Sequence, residues 1–390
     1  MERRVIKMNI MFSHPYRLDM ITKQENEVIM AMLTPDYIND KKTSEKIDIP
    51  VFTTNENRLR DMMYIIENGS LKPDVLIFNA PTDEESLSEA KLIEKIQSLG
   101  IIVVGQSLKS CQICNNKEIT KKWLESYGFP TADSFDIKQV TEDDLPIVLK
   151  EVENSSGHGI SLVSTIEELN KFKGKNVIAE KYIEGIEMSV QVVCKSSKYL
   201  VSPPVYKEKT DIDMIHPLKK LRIFPNPWKQ ELLNPQLKQV ALEISQALCE
   251  NGIIDIDFIV VNENEFYILE INSRLSGVSR MINIDGLNTM NLLLEIARNK
   301  DLPSLHEKYK ITLEIPIQAQ VTMENLNSSS NIDYIYVRPD QNDLRRRILI
   351  SGDTREEIIQ KGLELIQEGV LNIKYVKKIQ SLLGSGGFVY

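Results

Sequence analysis

Asp255, Asp257, Glu270 and Asn272 stand in one stretch, IIDIDFIVVNENEFYILEINSRLSGVSR, residues 253–280. Apolar and polar residues alternate from Ile254 to Val261 and again from Phe266 to Asn272, on either side of Asn262-Glu263-Asn264-Glu265. This spacing predicts two antiparallel strands joined by a tight turn. A symmetric loop would set Asp257 opposite Glu270 and Asp255 opposite Asn272, with all four side chains on one face. Like charges opposed across a sheet cost a few tenths to roughly 1 kcal/mol per pair unless something positive lies between them. A divalent cation meets that need. Oxygen-only ligands suit Mg2+ or Mn2+ far better than zinc, and Mg2+ commonly keeps positions open for substrate phosphates. The same residues would also suit the solvated face of an ordinary hairpin, and the spacing alone does not choose between Asp255 and Asp257.

Upstream, several cations and small residues could face a phosphate. Lys117 falls in the first turn of a helix that begins near Asn116 and stops at Gly128 and Pro130, where a cation opposes the helix dipole unless an anion is close. Lys150 ends a strand, Leu145 to Lys150, and is followed by the small-residue loop Ser155-Ser156-Gly157-His158-Gly159-Ile160. Such a loop lets backbone N–H groups close over phosphates, and it equally marks a flexible hairpin. The run Val177 to Val190 passes from one strand through a turn into another. Its backbone could serve an adenine edge and Glu187 the ribose hydroxyls. Between 203 and 228 lies a Pro-rich basic insertion with His216, Lys219, Lys220 and Arg222, suited to an acyl phosphate or a substrate carboxylate and equally to a solvated loop.

The elements that must position these residues are those of a large α/β protein. At 390 residues the chain is long enough for two to four units around a cleft. Its hydrophobic fraction of 42% and charged fraction of 26% are those of a globular protein, and the net charge of −9 argues against a nucleic-acid surface. The apolar run after MERR is too short for a secretory core and reads as a first strand, no stretch approaches a membrane span, and a cytoplasmic location is expected. The four cysteines do not make a disulfide framework, and Cys111-x-x-Cys114 has no second ligand pair, so a buried structural role is expected for it.

In the first hundred residues, strands at Val5 to Phe12, Val75 to Asn79 and Ile101 to Gly105 alternate with helices at Arg58 to Asn68 and Glu84 to Leu99. This is an open α/β sheet without the GxGxxG dinucleotide fingerprint. A helix from Pro235 to Glu250 precedes the hairpin and another from Gly286 to Ala297 follows it. Residues 311–390 read as a smaller α/β cap, with strands at Ile311 to Val321 and Arg347 to Ile350. Its helix runs from Thr354 to Gly369, opened by a Thr354/Glu357 capping box, and the Gly384-Ser385-Gly386-Gly387 tail is expected to be mobile.

Taken in order, these motifs resemble the ATP-grasp superfamily, in the branch of the carbamoyl phosphate synthetase large subunit and biotin carboxylase. They are Asn116-Lys117 through Gly128-Phe129-Pro130-Thr131, Lys150, the loop at 155–160, Glu180 to Glu187, His216, and Glu270-Ile271-Asn272-Ser273-Arg274. The resemblance implies an ATP-grasp fold. Its parts would be an N-terminal open α/β sheet domain at 1–110, an ATP-grasp domain at 111–310 with a lid subdomain at about 131–188 and an antiparallel-sheet metal-binding subdomain, and a C-terminal α/β cap at 311–390.

It implies that Lys117 and Lys150 meet the ATP phosphates under a lid of Ser155, Ser156, Gly157 and Gly159. Glu180, Lys181, Tyr182 and Ile183 would hold adenine, Glu187 ribose, and His216 the nucleotide. Asp257, rather than Asp255, would ligate Mg2+ or Mn2+ with Glu270 and Asn272. Arg274 and Lys150 would act on the reacting phosphate, and Lys220 and Arg222 are candidates for substrate.

The implied reaction activates a carboxylate with ATP as an acyl phosphate and couples it to an amine, such as an amino acid, releasing ADP and phosphate. A carboxylate–thiol ligase, a phosphotransferase, or a non-catalytic ATP-binding protein are the alternatives on the same core. The partners expected are small molecules, with no nucleic acid and no membrane, and a homodimer is the assembly that relatives suggest.

Overall fold

A computed structural model describes residues 8–384 except 23, 25–26, 34–50, 54–56, 153–158, 211, 213–218, 228–232, 285–286, 306–307, 319 and 338–345. Ser155, Ser156, Gly157 and His216, and the tail beyond 384, lie outside the described residues.

Five parallel strands build the N-terminal sheet: β1 (Met8–Phe12), β2 (Glu27–Leu33), β3 (Val51–Thr53), β4 (Val75–Ile77) and β5 (Ile102–Val104), in the order β3-β2-β1-β4-β5. The strand cores are continuous apolar runs because helices cover both faces of such a sheet. Helix α1 (Arg58–Glu67) starts on Asn57, whose side chain accepts from Arg60 N. The single helix expected over Glu84 to Leu99 is two, α2 (Asp83–Ala90) and α3 (Ile93–Ser98). The chain tightens between them, where Leu92 N bonds to Glu89 O at 3.0 Å, one residue short of the α-helical partner. Helix α4 (Leu108–Cys114) carries Cys111 and Cys114, both buried, and burial pushes both thiols up and away from the reactive thiolate.

Helix α5 (Lys117–Ser126) is capped by Asn116, which accepts from Glu118 N and Ile119 N, and is closed by Gly128 at φ 72°. The chain then enters a four-stranded sheet of order β6-β9-β7-β8, with β6 (Ser134–Phe135), β7 (Ile147–Glu151), β8 (Ile160–Val163) and β9 (Val177–Lys181). Helix α6 (Ile166–Asn170) packs on it. The link at 129–133 is pinned on both sides: Ile268 N bonds to Pro130 O and Lys181 N to Asp133 O.

A nine-stranded sheet forms the rest. Its strands are β10 (Gly185–Lys195), β11 (Lys198–Val201), β12 (Val205–Thr210), β13 (Arg222–Phe224), β14 (Asn251–Asn262), β15 (Glu265–Asn272), β16 (Ile311–Pro316), β17 (Tyr334–Val337) and β18 (Arg346–Gly352). The path runs β15-β14-β10-β12-β13-β16-β18-β17, with β11 beside β10. The strands of the expected C-terminal α/β cap, β16 to β18, continue the sheet that carries the β14-β15 hairpin. Helices α7 (Leu233–Leu248), α8 (Ser279–Ile284), α9 (Thr289–Ala297), α10 (Met323–Ser328), α11 (Arg355–Gln367) and α12 (Ile373–Gly384) accompany it. At α11, Thr354 accepts from Glu357 N, but the Glu357 carboxylate reaches one residue further back than a capping box requires, to Asp353 N at 2.8 Å.

The two faces of this sheet divide the work. One face, with Ile254, Ile256, Phe258 and Val260 of β14, packs into the core beneath α7, α11 and α12. Ile253, Val193 and Phe224 of the other face share a core with Ile10 and Phe12 of the N-terminal sheet and with α8 and α9. Each such buried aliphatic or aromatic side chain is worth about 1.5–3 kcal/mol of burial, so the N-terminal sheet is welded to the face that carries the polar residues. Cys194 of β10 and Cys249 after α7 form a disulfide, a pairing that the sequence reading of the cysteines did not expect. Among the described residues no helix is long and apolar enough to cross a membrane.

Candidate active site

The hairpin closes on the two-residue loop Glu263-Asn264, with Asn262 paired to Glu265, and its Cα partners include Asp257 with Glu270 and Asp255 with Asn272. The ladder is not regular between these points. One shift in register falls between Val260 and Asn262 and a second, compensating one between Asp257 and Phe258, where Phe258 pairs with Ile268. The two cancel, so simple cross-strand arithmetic reaches the right pairing for the acidic residues. On the neighbouring strand, Ser189 lies opposite Asp257 and Gln191 opposite Asp255.

Burial makes the acidic face expensive. Asp255 is 1% exposed and its Oδ1 has no hydrogen-bond partner among the described residues. Burial, then the neighbouring Asp257 charge, push its carboxyl up to about 7. Glu270 is also raised, by burial first and then by Asp257 and Asp83, against the pull of Lys117 and Arg274. Asp257 is bonded by the Ser189 hydroxyl and by Lys207, whose Nζ lies 2.8 Å from both carboxylate oxygens. The Lys207 ammonium thus stands where a cation would.

Among the described residues no group of three or more His, Cys, Asp or Glu side chains converges as a metal cage. The set at hand is two carboxylates and an amide, an oxygen donor set of the kind Mg2+ takes while completing its shell with water and phosphate. The charge crowded between Asp257 and Glu270, which raises the Glu270 carboxyl, fits that ion.

The cations approach from three elements. Lys117 opens α5, and its charge is held down by burial while Glu270 and Asp83 favour it. These are the anions that its place at a helix N-terminus called for. Its backbone N bonds to Val152 O, tying α5 to the end of β7. Lys150 of β7 pairs with Glu180 at 2.5 Å, and Lys121 pairs with the same carboxylate at 3.4 Å. Burial raises the Glu180 carboxyl, but Lys150 and Lys121 outweigh it and the net shift is downward. Arg274 is forked onto Asp83, Nε to Oδ1 at 2.5 Å and Nη2 to Oδ2 at 3.2 Å.

Asp83, Lys121, Ser189 and Lys207 were not singled out from sequence. Asp83 reads as an ordinary first-turn acid of α2, and its partner Arg274 is distant in the chain, so neither residue announces the other.

The remaining candidates make contacts of their own. Lys181 ends β9, and Tyr182 and Ile183 follow it before β10 begins, outside the strand ladders. Glu187 of β10 is bonded by the Thr210 hydroxyl and by Lys220 Nζ, the latter at 2.8 Å. The candidate ribose ligand and one candidate substrate ligand are thus an ion pair. Arg222 instead bonds Glu314 at 2.9 Å, and Gly277 leaves it room, since a Cβ there would lie 2.6 Å from Arg222 Nη1. Gly159 is at φ 69°, and a Cβ on it would meet the Glu151 carboxylate at 2.8 Å.

Asp255 supplies a pH-dependent prediction. A carboxyl whose pKa is raised on folding is penalised in its charged form, so its cost is absent below the unfolded value and grows as pH rises towards about 7. Asp255→Asn is expected to stabilise the metal-free protein by a few kcal/mol (order of magnitude) at pH 8 and hardly at all at pH 4. Urea midpoints in EDTA at both pH values check this, and a pH-independent difference would contradict it.

Residues 114–278 match the ATP-grasp domain family. The chain is 25% identical over 335 residues to the carbamoyl-phosphate synthase of Methanobrevibacter smithii, covering 79% of this chain and 90% of that protein. It is 25% identical over 221 residues to the D-alanine--D-alanine ligase of Aquifex aeolicus, covering 53% and 71%. It spans 21% to 32% of the length of carbamoyl phosphate synthase large chains that it also matches. Among solved structures, a biotin carboxylase–β-γ-ATP complex from Campylobacter jejuni superposes with a TM-score of 0.70 at 16% identity, covering 93% of this chain and 91% of that one. At that identity the likeness is one of fold.

Proposed function

We propose that the protein, whose residues 114–278 match the ATP-grasp domain family, is an ATP-dependent ligase that activates a carboxylate as an acyl phosphate and joins it to an amine, releasing ADP and phosphate. The observation that carries this reading is the hairpin register, Asp257 opposite Glu270 and Asp255 opposite Asn272, with Lys117 and Arg274 acting on the same carboxylate. The names of the relatives, a carbamoyl-phosphate synthase and a D-alanine--D-alanine ligase, support ligation chemistry.

Asp257, Glu270 and Asn272 would hold Mg2+, or Mn2+, which when bound supplies positive charge to phosphate oxygens. The chain's own contribution is positioning and neutralisation. Lys117, at the positive end of α5, would bind phosphate. Lys150 would exchange Glu180 for a phosphate oxygen, and Lys121 would keep that carboxylate paired. Arg274, turned from Asp83, would stabilise charge on the transferring group. Water has to be kept from the site, because it would otherwise hydrolyse an acyl phosphate. Glu180 to Ile183 and Glu187 would hold the nucleoside.

The test is a screen of carboxylate and amine pairs for ADP and phosphate release in the presence of Mg2+. Release that requires both an acid and an amine supports the reading. ATP binding without acid-dependent release across the panel would overturn it.

A further inference from the structure

The loop after β1 holds a group that the reaction above does not use. Arg17 is a non-glycine residue at φ 64°, ψ 23°, in the left-handed region, and is only 5% exposed. Its Nη2 donates to the Tyr16 hydroxyl at 2.7 Å, and its Cζ lies 4.6 Å from the Tyr16 ring. Its Nε and Nη1 are buried and have no hydrogen-bond partner among the described residues. A guanidinium is charged at neutral pH, so burying it with two of its three nitrogens unpaired is costly unless an anion arrives.

The loop is fixed on both sides rather than left to relax. Asn79, at the end of β4, accepts from His14 N at 3.0 Å and donates to His14 O at 2.8 Å and Tyr16 O at 3.0 Å. From the other side Asn288 donates to Met20 O at 2.6 Å, and Asn291 accepts from Thr22 N at 2.8 Å. Ser13, just before the loop, bonds to Glu89 at 2.6 Å, a buried carboxylate that also pairs with Arg58 at 3.1 Å. A strained residue held by this many bonds points to a use for its conformation.

The loop lies at the carboxyl ends of β1 and β4, on either side of which the strand order runs outward, the place where open parallel sheets bind ligands. Its surroundings are cationic. The Tyr16 hydroxyl feels Arg280 and Arg274 as well as Arg17. The nearby acids are already engaged: Asp83 by Arg274, Glu314 by Arg280, and Asp19 by the Tyr334 hydroxyl.

We propose that Arg17, with the Tyr16 hydroxyl that it orients, receives an oxyanion of the small-molecule substrate, a carboxylate or a phosphate remote from the group being activated. The assignment of that ligand as a substrate rests on the ligase reading; the oxyanion site itself does not. It makes the N-terminal loop a selector for substrates that carry an additional acidic group.

The test is calorimetric titration of the full chain, with Mg2+ and a non-hydrolysable ATP analogue present, by succinate, by inorganic phosphate and by uncharged succinamide. Saturable binding of succinate or phosphate, with succinamide not bound, is expected for the wild type, and the better of the two names the oxyanion. Binding should weaken at least about tenfold in Arg17→Gln and about threefold in Tyr16→Phe, with partial recovery in Arg17→Lys. Unchanged affinity for the ATP analogue shows that a variant is folded; if Arg17→Gln does not fold, Arg17→Lys and Tyr16→Phe carry the comparison. Equal oxyanion affinity across the variants, no oxyanion binding to the wild type, or equal binding of succinamide would overturn the proposal. None of these readings needs turnover, so the ligase reading can fail in the phosphate-release screen while the oxyanion site stands, and the reverse.

Discussion

Glu270→Gln is expected to lower acid-dependent ADP formation by about three orders of magnitude while leaving the metal-free protein at least as stable as the wild type. The two signs have one cause. Glu270 is partly buried on β15 with Asp257 opposite it and Asp83 near it, and these raise its carboxyl. In the metal-free protein its charge is therefore a cost, and the amide removes it. With a raised folded pKa, that cost is absent below the ordinary carboxylate range and appears as pH rises through the folded value. The gain in thermal stability in EDTA should accordingly be larger at pH 8 than at pH 5.

For activity the same charge is required, because each anionic ligand lost from a divalent site weakens both metal retention and the neutralisation of phosphate charge, worth several kcal/mol. Initial rates at saturating Mg2+ and ATP, beside melting in EDTA, read the two signs together. Turnover within about tenfold of the wild type would remove Glu270 from the site.

Glu314→Gln should destabilise the protein by roughly 3–5 kcal/mol, enough to unfold many proteins of ordinary stability. Glu314 is fully buried on β16 and answers Arg222 at 2.9 Å, Arg280 at 2.6 Å and Arg347 at 3.1 Å. Burial would raise its carboxyl, but Arg347, Arg280 and Arg222 together hold it far below the usual range. Arg347, itself fully buried, is pulled down to about 9 by burial despite Glu314, which marks how poorly the interior tolerates these cations alone. Without the carboxylate, three guanidiniums on β13, α8 and β18 share a dry interior with no counter-charge from that position.

The depressed pKa means that the stabilisation is fully present above the unfolded carboxylate value, and is lost progressively as pH falls from there towards the much lower folded one. The deficit of the variant should therefore be constant from pH 6 to 8 and shrink only in acid. Denaturant midpoints across that range check it, and a loss below about 1 kcal/mol would contradict the assignment of Glu314 as the hub of this cluster.

How much of this was legible beforehand follows from what each residue needed as a partner. The hairpin could be read because its partners are close in sequence and strand alternation has a strict period; even so, the pairing came out right because two register shifts cancel. Lys117 at a helix N-terminus asked for an anion, and Glu270 and Asp83 answer it. Asp83 with Arg274, Arg17 in its left-handed turn, and Lys207 on Asp257 were not legible, because long-range pairing and backbone strain leave no periodic mark. Glu314 did carry a signal that went unused: a lone acid between Leu313 and Ile315 in a strand apolar on both sides has to be paired. That the strands after residue 310 join the hairpin's own sheet was not legible, because local pattern does not say which sheet a strand joins; hydrogen bonds from β13 to β16 decide it.

The central claim is that the chain makes an acyl phosphate from ATP and a carboxylate. It is tested most directly by supplying the acid that stimulates ADP formation with 18O in both carboxylate oxygens, together with its amine, and weighing the inorganic phosphate released. The account predicts one 18O transferred to phosphate for each ADP formed. Phosphate that carries only solvent or ATP oxygen while the ligated product accumulates would contradict it.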